Sequence, residues 1–160
     1  MKKVQLAEGI SAVLPPGWEY SAESPDGIST FSIQMTNGSC HAELEILNNR
    51  QIPSHEFVLS HRFDLMQSLI SLNLKLDPPN KKFPLELLGS KDSIQGKVFH
   101  ILIPTNPVAH LSAITATDSD LVEVRAIADS IKIDDRAKVE GDEEILPMKL
   151  SKEWQELNSN

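Results

Sequence analysis

Two segments alternate polar and apolar residues strictly, Thr30-Phe31-Ser32-Ile33-Gln34-Met35-Thr36 and His41-Ala42-Glu43-Leu44-Glu45-Ile46. That period of two belongs to strands with one buried and one wet face. Between them stands Asn37-Gly38, which accepts the positive φ of a tight reversal, so the pair reads as an antiparallel hairpin. Upstream, Ile10–Val13 and Trp18–Tyr20 read as short strands on either side of Leu14-Pro15-Pro16-Gly17, because prolines and a glycine there cannot join a ladder.

The period then changes. Phe57, Val58, Leu59, Phe63, Leu65, Met66, Leu69, Ile70 and Leu72 recur at helical spacing, which predicts a helix from a Ser54 cap to about Leu72 with an apolar face broad enough to cover a sheet. Asp77-Pro78-Pro79-Asn80 breaks the chain, and Phe83–Leu88, Lys97–Ile103 and Ala109–Thr117 read as three further strands separated by Gly89–Gly96 and Pro104–Pro107. Lys97–Ile103 is apolar at alternate positions of both parities, so it should be covered on both sides. Asp120 with Glu123 resembles a capping box, followed by the stripe Leu121, Val124, Ala128 and Ile131 of a second helix.

Hairpins interrupted by helices, without regular strand–helix alternation, indicate an α+β fold of α/β/α layers: an antiparallel β-sheet flanked by two main helices. Residues 1–133 form that domain. Residues 134–160 carry eight acidic and four basic side chains, half of the net charge of −8, and read as an acidic tail. Within it Leu146, Leu150, Trp154 and Leu157 make a short amphipathic helix. A helix this short is marginal alone in water, so it must dock on its own sheet, a second copy or another protein.

At 160 residues, 40% apolar and 24% charged, the chain suits one globular domain with an aliphatic core. The net charge of −8 disfavours nucleic acid and anionic lipid, which require clustered Lys and Arg. No apolar run long enough for a signal peptide or membrane span occurs, and Cys40 is the single cysteine, so the expected address is the cytoplasm.

Candidate chemistry is thin. Cys40 and His41 are neighbours on a strand and point to opposite faces, which opposes a nucleophile–base pair. His55 and His61 are six apart on a helix and do not share a face as metal ligands would. His100 and His110, on neighbouring strands, can meet across the ladder and are the best enzyme candidates. Asp118-Ser119-Asp120 reads as a helix N-terminus. Glu43 and Glu45, about 7 Å apart on one strand face, read as a wet surface. No phosphate-binding glycine loop occurs. No cofactor and no metal are therefore expected.

The segments Gly9-Ile10-Ser11-Ala12-Val13-Leu14-Pro15-Pro16-Gly17-Trp18 and Ile127-Ala128-Asp129-Ser130-Ile131-Lys132-Ile133 resemble the two ends of PsbP-like domains, over about Val4 to Ile133. The resemblance implies an antiparallel sheet between helices and a binding or assembly role. Its members include photosystem II PsbP proteins, a Ran-binding nuclear import factor, DcrB-like lipoproteins and the Eag-type chaperones of type VI secretion effectors. Without a lipobox or a thylakoid segment, the chain is most similar to the chaperone branch, which implies a bacterial dimer that shelters apolar effector segments.

The expected function is thus a non-catalytic protein-binding module, with an acidic immunity protein against a basic toxin as the alternative and an enzyme using His100 and His110 as a remoter one. The partner is a protein, effector or toxin, and a homodimer is possible. The residues expected to bind it are Val98, His100 and Leu102 on one strand, Ile114 on the next, and Leu150, Trp154 and Leu157 in the tail.

Overall fold

The computed structural model describes residues 1–21, 32–47 and 52–137. Among the described residues ten strands and two helices follow one another as β1 (Lys2–Ala7), β2 (Ile10–Leu14), β3 (Glu19–Ser21), β4 (Ser32–Thr36), β5 (His41–Ile46), α1 (Ser54–Ser71), β6 (Lys75–Leu76), β7 (Glu86–Lys91), β8 (Ile94–Ile103), β9 (Ala109–Thr115), α2 (Asp118–Ser130) and β10 (Lys132–Ile133). A seven-stranded sheet has the order β3-β4-β5-β9-β8-β7-β6, and a three-stranded sheet the order β1-β2-β10. Every pairing is antiparallel. The expected α+β architecture of a sheet flanked by helices is therefore present.

Strand β8 shows how the layers are built. Its Phe99 and Ile103 pack with Val124, Ile127 and Ala128 of α2 and with Ile10, Ala12 and Leu14 of β2. Leu102, of opposite parity, packs with Val58 of α1. Because successive strand residues point to opposite faces, α1 covers one face of the large sheet, and α2 with the small sheet covers the other. The two-sided apolar pattern of Lys97–Ile103 has this cause.

The hairpin of β4 and β5 forms in the expected register, with Ile33 opposite Leu44 and Met35 opposite Ala42. Asn37 shapes its turn by accepting from the amides of Ser39 and Cys40. Strand β1 and the two-residue strands β6 and β10 were not foreseen. Strand β7 begins at Glu86 rather than Phe83, since Phe83 and Glu86 donate back to Asn80 and Phe83 in turns. Nor does Gly89 interrupt it: β7 and β8 run on to a tight turn between Lys91 and Ile94. A Cβ at Gly89 would lie 2.7 Å from the carbonyl oxygen of Lys75, so glycine there admits the close approach of β6.

Both helix starts differ from expectation. Pro53, not Ser54, occupies the α1 cap, and the Ser54 hydroxyl donates instead to the carbonyl of Thr105. Helix α2 begins a turn earlier than Asp120: Thr117 is its cap, and its hydroxyl accepts from the amide of Asp120. Glu123 is thereby freed for other partners. The packed body also runs past Ile133, because Asp134 donates to the carbonyl of Gly9 and Ala137 is buried in the main core.

Candidate interaction surface

The apolar stripe of α1 is two lines rather than one. Val58 and Leu69 are buried, with Phe57, Leu65 and Met66 packed partly against the sheet. Leu59, Phe63 and Ile70 stay outside, 67%, 62% and 52% exposed. Leu59, Phe63 and Ile70 follow at intervals of four and seven, which is one line along a helix of 3.6 residues per turn. It lies one residue, about 100°, around from the buried line through Val58, Leu65 and Leu69. Ile52 and Leu72 extend the exposed apolar surface at the two ends. Of the apolar face expected to be broad enough to cover a sheet, one line does so and a second is left outside.

The helix also leaves part of the outer sheet face open. Registers place Thr36, His41, Ile114 and Val98 in one transverse row, Gln34, Glu43, Ser112 and His100 in the next, and Ser32, Glu45, His110 and Leu102 in the third. A shallow groove is lined by Gln34, His41, Glu43, Val98, Ser112 and Ile114. Ile114, 48% exposed, is its apolar centre.

His100 also lines this groove, and His110 sits beside it. The Nδ1 of His100 and the Nε2 of His110 are 2.9 Å apart, so one ring donates and the other accepts. Their centroids are 5.1 Å apart at an interplanar angle of 19°. That separation is the N···N distance plus a ring radius at each end, so the rings meet edge to edge rather than face to face. Burial lowers both imidazoles below their ordinary range, His110 to about 4, with the charges of His100 and His61 adding to the effect. His61 belongs to α1, where its ring stacks on Phe57 with centroids 5.2 Å apart. The pair is therefore neutral near pH 7, shares one proton and joins two strands.

Of the residues expected to bind a partner, Val98, His100 and Ile114 lie on or beside the open face. Leu102 does not: it is 1% exposed beneath α1 and belongs to the core. Leu150, Trp154 and Leu157 lie outside the described residues. Cys40 is buried, its thiol 3.3 Å from the carbonyl of Ile114 and pushed up to about 11 by burial and by the charges of Asp120 and Glu123. His41 is on the opposite, exposed face. A thiol held protonated in this way is no nucleophile near pH 7.

The outward line of α1 is the feature the sequence reading missed. Its signal was available, since nine apolar positions in one helix exceed what a single sheet contact requires. Compared with family models, curated proteins and solved structures, the chain matches none. Among the described residues no helix is long and apolar enough to cross a membrane.

Proposed function

We propose that this chain is a non-catalytic protein-binding module and that the outward line of α1 seats an apolar segment of another protein. The observation that carries this reading is the exposure of Leu59, Phe63 and Ile70 on a helix whose inner line is already packed. Large side chains held in water at helical spacing suit a helix-on-helix contact, in which apolar anchors recur at such intervals. The open groove around Ile114 widens the same face of the molecule. Its resemblance to PsbP-like domains supports a cytoplasmic secretion chaperone or adaptor, dimeric or not, as the form of this role.

Full-length tagged protein purified from its host should carry a second polypeptide in fixed proportion, and a Leu59→Asp, Phe63→Asp variant should lose it. Wild-type protein recovered alone overturns the proposal. The acidic-immunity reading rests on the net charge of −8. It requires instead a basic partner whose association slows steeply with salt and survives the double substitution.

A further inference from the structure

At the far edge of the large sheet a cavity of about 180 Å³ lies between α1, the connection 77–80 and β7. It is lined by Arg62 and Met66 from α1, Asn80 and the prolines beside it, Leu87 of β7, and Arg125 of α2, among others. It exists because β6 ends at Leu76: after Asp77 donates to the carbonyl of Leu88, the chain leaves the β7 edge.

Of the four charged residues that line it, Arg62, Asp77, Glu86 and Arg125, all but Arg62 are paired. Arg125 donates from Nε and Nη2 to the two carboxylate oxygens of Glu86, and its guanidinium lies 4.1 Å from the Phe83 ring centroid. Asp77 pairs with Lys97 at 2.9 Å. Arg62 has no ion pair among the described residues, and its Nε is shut off from solvent without a hydrogen-bond partner. A buried donor of a permanently charged group left unpaired is costly, and arginine's planar fork is matched to an oxyanion.

We infer that this cavity binds a small carboxylate, with Arg62 holding the carboxylate group and Met66, Leu76 and Leu87 enclosing a short apolar body. One unpaired cation leaves room for one negative charge. A phosphate near −2 would meet the carboxylates of Glu86 and Asp77 on the cavity wall. The volume bounds the body, since a cavity of roughly 150 Å³ admits benzene. A branched acid of about five carbons fits, as does the last residue of a peptide ending in a free carboxylate.

The test is titration of the full-length protein with 3-methylbutanoate, its amide and inorganic phosphate, followed by the backbone amide resonances of Asn80, Leu87 and Leu88. Saturable shifts with the carboxylate, at least about tenfold weaker with the amide or phosphate and lost in Arg62→Met, are expected. Arg62→Gln provides a second variant should Arg62→Met not fold. A leucine-terminated tripeptide and its amidated form separate the two sources: tighter binding of the free-acid peptide than of 3-methylbutanoate assigns a peptide C-terminus, and the reverse a small metabolite. Equal binding of acid and amide, tighter binding of phosphate, an unchanged response in a folded Arg62 variant, or no saturable shift would each overturn the inference.

Discussion

The indole Nε1 of Trp18 donates to Glu123 Oε2 at 3.0 Å, joining the turn after β2 to the middle of α2. The same oxygen accepts from Asn37 Nδ2 at 3.3 Å, so the hairpin turn is tied to the same carboxylate. Trp18 belongs to the main core, and an indole N–H there without an acceptor is costly. Glu123→Ala should lower stability by about 1–3 kcal/mol, roughly 5 °C in Tm for a chain of this size. Glu123→Gln, which keeps an acceptor oxygen, should lose less. Thermal unfolding followed by Trp fluorescence checks both, and an unchanged Tm in Glu123→Ala contradicts the account of this junction.

The histidine pair gives stability a pH dependence of defined sign. His110 is held at about 4 against an ordinary 6.5, so below pH 6.5 the unfolded chain takes up a proton that the folded chain refuses. Stability is then full above that pH and falls as pH drops from 6.5 toward 4, by about 2–3 kcal/mol from this group. Carboxylates also titrate there, which makes the comparison with His110→Gln the measurement. The urea midpoint of the variant should fall less steeply between pH 7 and pH 4.5 than that of the wild type. Parallel slopes would show that the pair does not stay neutral.

Gly96 has φ +94°, and a Cβ there would lie 2.2 Å from the carbonyl oxygen of Thr115 across the β8–β9 ladder. Gly17 has φ +87° with open space around it. Gly96→Ala should therefore cost the backbone strain plus a displaced strand, about 3 kcal/mol or more, and Gly17→Ala about 1 kcal/mol for strain alone. Chemical denaturation of the two variants in parallel checks the ordering.

Adjacent positions of α1 should respond in opposite ways. Val58→Ala removes a fully enclosed side chain and should cost about 2 kcal/mol. Leu59→Ala, one residue on, should change stability by less than about 0.5 kcal/mol because the side chain is largely in water. Comparable losses at both positions would mean that some other part of the chain covers the outward line.

Local signals in the sequence carried far where one element decides its own form. The β4–β5 hairpin follows from strict alternation and Asn37-Gly38, and the two-sided cover of β8 follows from its doubled apolar parity. The length of α1 is equally plain in its periodicity. What covers that helix is not, because periodicity records which residues are apolar and says nothing of how wide a strip the sheet supplies. Strands β6 and β10, two residues each, exist only through their partners and leave no pattern of their own. Caps were misplaced for a related reason: Thr117 and Asp120 both accept helix amides well, and the choice depends on where β9 releases the chain. His100 and His110 were legible as neighbours across strands, whereas Leu102 was misjudged because α1 folds over one end of that face and not the other. The Arg62 cavity could not have been read, since its walls come from α1, β7, α2 and the connection at 77–80, which only the fold brings together.

The most direct measurement of the central claim is photo-crosslinking from a benzoylphenylalanine placed at Phe63 of the full-length protein in its host, followed by mass analysis of the adduct. The account predicts a covalent adduct to a different polypeptide, absent when the probe is moved to exposed Val122 on α2. An adduct confined to residues 138–160 of the same chain, to a second copy, or to nothing at all would contradict it.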